Sequence, residues 1–237
     1  MCKQIPEKMK AVVAYGPKDY RLEEVAVPVI ENDKEVIIKV EATGICAGDI
    51  KAFDGAPSFW GDETQPAYIK APMIPGHEFI GHVVAKGDAV VDYEIGDRII
   101  SEQIVPCWAC RFCNRGQYWM CEKHDLYGFQ NNVNGSMAEY MKFTKEAINY
   151  KVPEDLPINK AILIEPYACS MHAVQRARIE LGDTVVLSGA GTLGLGMIGA
   201  AKKSGASTLV VLDLKDERLE LAKQFGADIV LNPARDN

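Results

Sequence analysis

No apolar run in this sequence approaches the ~18 residues that a membrane-spanning helix requires. The opening Met1-Cys2-Lys3-Gln4-Ile5-Pro6 lacks the apolar stretch of a secretory signal. Together these absences lead to the expectation of a cytoplasmic protein with no membrane partner. Positive charge is also in short supply: 26 Lys and Arg stand against 33 Asp and Glu, for a net charge of −7. No basic face can neutralise a phosphate backbone, so a nucleic-acid partner is excluded. Internal repeats and low-complexity segments are missing too. What remains is an ordinary globular composition, 48% hydrophobic and 25% charged over 237 residues. That is enough chain for one large domain or two of common size.

Seven cysteines are present. In a reducing compartment they read as metal ligands or core residues rather than disulfides. The first 150 positions are β-rich. Short Val/Ile runs at Lys10–Tyr15, Val36–Ile45, Phe79–Ala85 and Asp97–Glu102 are punctuated by Gly, Pro and Asp. A partly open β-barrel with long loops is expected. Beyond Pro153 the pattern changes. Ile158–Arg178 is predicted as one helix, and then strands and helices alternate. Thr184–Ser188 is a buried strand, Thr192–Ser204 a helix and Thr208–Asp213 a strand. Lys215–Phe225 is a helix and Asp228–Leu231 a short strand. This order implies a parallel sheet with right-handed crossovers. The predicted boundary puts a barrel domain at 1–157 and part of a dinucleotide-binding domain at 158–237. A dinucleotide fold has two such halves. Only one is expected here, so the barrel should fold while the chain turns over little or nothing.

Gly189-Ala190-Gly191-Thr192-Leu193-Gly194 reads G-x-G-x-x-G. The pattern is weak alone, but here it follows a strand and opens a helix, as a pyrophosphate loop does. Gly189 permits the turn, Gly191 admits the phosphate, and Gly194 lets helix and strand pack closely. Asp213 closes the next strand, where a carboxylate accepts the ribose hydroxyls of NAD and repels the extra phosphate of NADP. Lys215 and Arg218 leave room for NADP. Cys107, Cys110, Cys113 and Cys121 follow C-x2-C-x2-C-x7-C. Four thiolates suit a closed, structural zinc site. An iron–sulfur cluster is the competing metal, but no proline follows the last cysteine and no second cysteine set exists. Cys46, His77 and Glu165 form a second, open donor set of one soft, one borderline and one hard ligand. An open position is what a substrate oxygen needs.

The run Gly76-His77-Glu78-x-x-Gly81-x5-Gly87-x-x-Val90 resembles the zinc signature of the medium-chain alcohol dehydrogenases. Gly44-Ile45-Cys46, the cysteine quartet and the glycine loop follow in that family's order. The resemblance implies a GroES-like barrel holding both zincs, then a Rossmann domain. Ile164-Glu165-Pro166 and Ser170-Met171-His172-Ala173-Val174 are similar to the sorbitol, threonine and sugar-alcohol branch. Within it, Phe59–Glu63, Ser101–Cys107 and Asp125–Phe129 point to tetritols such as erythritol or threitol. L-threonine, sorbitol and butanediol are the alternatives. A chain without catalysis, structural or binding in role, is the alternative of another class.

The implied reaction is oxidation of a secondary alcohol to a ketose, with zinc as Lewis acid and hydride passing to NAD. Members of the branch differ over the third catalytic-zinc ligand, so Glu78, Glu165 and water stay open. Asp49 is implied as the partner that orients a zinc ligand. Many relatives carry Ser or Thr two positions after the zinc cysteine as a proton relay, and His five positions after it. Here those positions are Gly48 and Lys51, which leaves the proton to a bound water, Glu78 or Lys51. The complete family member is expected to be a homodimer or homotetramer. His82 and His172 are expected to be structural, Cys169 a core residue and Cys2 a surface thiol.

Overall fold

A computed structural model describes residues 5–236, and Cys2 lies outside them. The chain packs as two compact units, Met1–Ile162 and Leu163–Asn237.

In the first unit, β1 (Lys8–Gly16) and β2 (Asp19–Ala26) form an antiparallel hairpin paired from Lys8/Ala26 to Gly16/Asp19. Next come β3 (Val36–Thr43), the helices α1 (Ala47–Phe53) and α2 (Pro57–Trp60), and β4 (Phe79–Lys86). The remaining strands are β5 (Arg98–Ser101), β6 (Ile104–Val105), β7 (Asp125–Leu126), β8 (Tyr140–Phe143) and β9 (Asn149–Lys151). A five-stranded antiparallel sheet runs in the order β8-β3-β4-β5-β9. The β3–β4 register slips twice, at Ile37/Ile38 and at Val40/Ala42. Such irregularities bend and twist a strand and let a sheet wrap a core. Val36, Ile38, Phe79, Val83, Ile99, Tyr127, Met141 and Phe143 fill that core. Tyr127 is fully buried, and its hydroxyl accepts the Thr144 N–H at 3.0 Å, so no polar atom of the ring is wasted. The Val/Ile runs read from the sequence are strands in the structure. The charged, half-exposed β2 and the short β8 and β9 carry no comparable apolar signal and go unread.

The second unit begins just after α3 (Ile158–Ala161) with α4 (Ile164–Ala177). The single helix expected over 158–178 is therefore two. Pro166 has no N–H to give the Ile162 carbonyl, so it is tolerated only in the first turn of a new helix. Then follow β10 (Thr184–Ser188), α5 (Thr192–Lys203), β11 (Thr208–Leu212), α6 (Asp216–Gln224) and β12 (Ile229–Leu231). The strands are parallel in the order β10-β11-β12. Leu209 and Val211 of the central strand are fully buried against Ile198, Ala201 and Ala222. The expectation that β10 is buried is corrected. Val185 and Leu187 pack on the core, but Val186 is 64% exposed. The strand has one neighbour, and among the described residues only one of its faces is packed against that core.

Gly194 is where α5 closes on β10. A Cβ there would run into the Gly189 carbonyl oxygen. Gly194→Ala should destabilise the second unit by about 1–3 kcal/mol, the range of an overpacked core. Calorimetry should show the second unit unfolding earlier and the first unchanged. An unshifted second transition would mean that the loop yields.

Candidate functional site

The four cysteines stand on a lobe after β6. Cys107 and Cys110 lie in loops, Cys113 opens a 3-10 turn (Cys113–Arg115), and Cys121 follows another (Tyr118–Met120). Their sulfurs all lie within 4.8 Å of one another. The lobe has little other core: among the described residues, Ile104 is the one buried partner that is not a cysteine, with Tyr118 and Leu126 packed alongside. Backbone amides face the sulfurs. The Cys110 N–H donates to Cys107 Sγ and the Cys107 N–H to Cys121 Sγ, each at 3.3 Å. Amides of Cys113 and Glu122 draw the Cys110 thiol down to about 6, whereas burial pushes Cys113 up to about 12. Four sulfurs this close cannot all ionise without a cation among them. Their number, spacing and amide donors fit a closed tetrahedral zinc site.

A second cluster joins Cys46, His77 and Glu78, whose donor atoms also lie within 4.8 Å of one another. Cys46 precedes α1, and its backbone N–H donates to Asp49 Oδ2 at 2.8 Å. His77 sits on a segment zipped to residues 134–137. The Ile74 N–H donates to Asn134 Oδ1 (2.9 Å), and N–H groups of Gly135, Met137 and Ser136 reach the carbonyls of Ile74 (2.7 Å), Pro75 (2.9 Å) and Gly76 (3.1 Å). Glu78 folds back over Gly44, whose N–H donates to the Glu78 carbonyl at 2.7 Å. A Cβ at Gly44 would collide with the Glu78 carboxylate.

His77 is 6% exposed. Its Nδ1 lies 3.4 Å from Asp49 Oδ1, yet it makes no properly aligned hydrogen bond. Burial opposes the charged ring, but Asp49 and Cys46 outweigh it and push the imidazole up to about 10. Burial likewise raises the Glu78 carboxyl. A buried imidazole between two acidic neighbours marks a pocket short of positive charge. Its sulfur, nitrogen and oxygen donors fit zinc.

Glu165 belongs to the second unit, in the first turn of α4, where its carboxylate accepts from Cys169 Sγ at 3.3 Å. Lys51 is exposed on the last turn of α1. Cys169 is half-buried, a correction to its expected place in the core, because it faces Glu165 across one helical turn. His82 lies between Glu41 (3.9 Å) and Glu154 (3.6 Å). Sequence reasoning missed the ring stack behind the cluster. Phe129 packs on His77 (5.2 Å, 37°) and stacks on Phe59 (5.3 Å, 7°). Only the glycine before Phe129 hinted at a tight turn there.

In the second unit, the glycine loop joins β10 to α5. Gly189 has φ +96° and donates its N–H to the Leu212 carbonyl at 2.7 Å. Gly191 caps α5, and Thr192 and Leu193 are exposed at the helix start. First-turn N–H groups of a helix lack intrahelical partners and attract anions. Asp213 is 9% exposed and accepts the N–H groups of Ala190 (2.8 Å) and Lys215 (2.9 Å). The Ala190 amide, above all, holds its carboxyl below the usual range. The Arg218 guanidinium stands 3.8 Å away.

Residues 32–154 match the Alcohol dehydrogenase GroES-like domain, and residues 192–237 match Zinc-binding dehydrogenase. The chain is 52% identical to erythritol/L-threitol dehydrogenase of Mycolicibacterium smegmatis over 99% of its own length and 65% of the relative's. It thus spans about two thirds of that relative. It superposes on 2R,3R-butanediol dehydrogenase of Bacillus subtilis with a TM-score of 0.83 at 30% identity, covering 97% of this chain and 64% of that one. An alcohol dehydrogenase of Escherichia coli CFT073, complexed with NADH, gives 0.85 at 29% identity over 97% and 64%.

The two N–H bonds to Asp213 yield a stability prediction. Asp213→Ala leaves the Ala190 and Lys215 amides unpaired and should cost the second unit about 1–3 kcal/mol at neutral pH. The folded-state pKa lies below the unfolded ~3.9, so this contribution is present above that value and is lost as pH falls through the lower folded one. Chemical denaturation of wild type and variant should converge in acid. A constant difference down to pH 2 would show that charge at Asp213 contributes nothing.

Proposed function

The chain belongs to the zinc-binding alcohol dehydrogenase family, and from that membership we propose that it oxidises a secondary hydroxyl of a polyol to the ketone, passing hydride to NAD. The observation that carries this reading is an open Cys46–His77–Glu78 donor set in a chain that also has a G-x-G-x-x-G loop on a helix start. A zinc ion at the open set would supply Lewis acidity to the alcohol oxygen. Cys46 and His77 would be its protein ligands, with Glu78, which lies with them in the first unit, as the third. Asp49 orients two of them, through the Cys46 amide and beside the His77 ring. Phe129 limits the tilt of that ring. Cys107, Cys110, Cys113 and Cys121 would hold a second zinc, which would serve the fold.

The cofactor pyrophosphate would lie on the α5 N-terminus at Gly189–Gly194, and Asp213 would take the ribose hydroxyls. The negative charge at Asp213 favours NAD, against Arg218, which faces the same carboxylate. The substrate is a tetritol, erythritol or threitol. The 52% identity to a dehydrogenase of those compounds supports that choice over sorbitol, L-threonine or butanediol.

Metal analysis and an NAD-coupled polyol screen test the reading. The screen uses this chain and a chimera completed with the part of the M. smegmatis relative it does not cover. Two zincs per reduced chain are expected. Cys46→Ala should lose one zinc and all turnover, and Cys110→Ala the other zinc and thermal stability. One zinc or none in the reduced wild type, or no polyol oxidation by the chimera, would sink the proposal. NADP used as well as NAD would mean that Arg218 outweighs Asp213.

A further inference from the structure

Among the described residues, four buried side-chain polar atoms lack a hydrogen-bond partner, and Tyr20 Oη and His77 Nδ1 are two of them. Both answer to the same carboxylate. Asp49 Oδ1 lies 3.4 Å from His77 Nδ1. Asp49 is also the one charged side chain whose field reaches the Tyr20 hydroxyl. Burial, above all, and then Asp49 hold that hydroxyl above its usual range, so it keeps its hydrogen and stays a donor at neutral pH.

The place of Tyr20 follows from the backbone. It lies near the start of β2, opposite Ala14 of β1. Ala14 and Met73 exchange N–H to carbonyl bonds of 2.8 and 3.2 Å, four residues before His77. On the other side, the Lys18 N–H donates to the Phe53 carbonyl at 2.8 Å, and the Tyr20 ring meets Phe53 edge-on (5.2 Å, 79°). Phe53 stands four positions after Asp49 in α1, a spacing that puts the two on one helix face. The hairpin is thus fastened to both elements that carry the metal donors: α1, which follows Cys46, and the segment that leads to His77.

The ring does not itself call for a hydroxyl. Tyr20 packs with Ala14, Ala52, Met73 and Phe129 in an apolar cluster, where phenylalanine would fill the same space. A hydroxyl buried there without a partner costs stability. Asp49, by contrast, has capacity to spare. A carboxylate offers about four acceptor positions. Asp49 gives Oδ2 to the Cys46 amide and turns Oδ1 toward His77.

We propose that Tyr20 is a positioning residue for the metal cluster: its hydroxyl donates to Asp49 and holds that carboxylate where it orients the Cys46 backbone and the His77 ring. Three side chains, Tyr20, Asp49 and His77, then form a line from the hairpin to the metal. With the His77 ring fixed by a metal, Asp49 lies between two donors, and the one from Tyr20 keeps it from turning away. This rests on the reading of Cys46, His77 and Glu78 as a zinc site and names what steadies it.

Tyr20→Phe deletes the hydroxyl and keeps the ring. The reduced, metal-free chain is titrated with Co2+ and Zn2+ against a chelator. Sulfur-to-cobalt absorption separates the one-cysteine site from the four-cysteine site, and thermal unfolding is followed on the same samples. In Tyr20→Phe the Cys46 site should bind both metals about tenfold more weakly, the lower end of what a group behind a metal ligand contributes. The quartet should bind as in wild type, and Tm should not rise. Asp49→Ala should weaken the same site, and adding Tyr20→Phe to it should cost nothing more, because the hydroxyl acts through that carboxylate. Unchanged affinity in Tyr20→Phe, with or without a raised Tm, would overturn the inference and leave the zinc reading standing. So would a full further loss in the double variant, or loss of metal from both sites, which marks general unfolding. A wild-type chain that binds metal at the quartet alone would overturn the zinc reading and this inference together.

Discussion

The close approach of two backbones at Gly76 is the constraint on which the Cys46–His77–Glu78 cluster depends. A side chain on Gly135 would strike the Gly76 carbonyl, and one on Gly128 would come within 2.7 Å of the Gly76 backbone. Gly76 itself has φ +99°. His77 is the next residue, so its position is set by how tightly residues 134–137 zip to the segment before it. Side-chain packing then refines what the backbones place, through Phe129 against the imidazole. Only glycines fit the crossing, because any Cβ on Gly128 or Gly135 would meet the Gly76 backbone.

Electrostatics in the first unit points the same way at both clusters. Negative donors are gathered with too little positive charge beside them. In the closed set, backbone amides lower some thiols while burial raises Cys113. In the open set, the ring of His77 and the carboxyl of Glu78 both shift toward holding a proton. Protons are what such groups take up when no other cation is present. Metal binding at either cluster would displace them, so affinity should rise with pH and be coupled to folding. The coupling is strongest for the lobe, whose core is largely the cysteines themselves.

In the second unit one carboxylate serves two ends. Asp213 accepts the Ala190 amide and so shapes the glycine loop. The Arg218 guanidinium stands opposite. In the proposed function the same carboxylate would take the ribose, so a substitution made there to change cofactor preference would also disturb the loop. Gly194 adds the packing side of the same design, since α5 can start close to the sheet only where no side chain intervenes.

Local sequence alone determined the elements whose residues carry a strong periodic or compositional signal. The Val/Ile strands, the G-x-G-x-x-G turn and the cysteine spacing were legible because each depends on neighbours in the chain. The exposed β2, the break before Pro166 and the open face of β10 were not legible in that way. They follow from partners distant in sequence, or, at Pro166, from a missing amide that a hydrophobic pattern does not register. The open donor set shows the division most clearly. Cys46 and His77 could be named from their motifs, but the grouping of Glu78 with them in the first unit depends on the backbone crossing at Gly76 and the fold of Glu78 over Gly44.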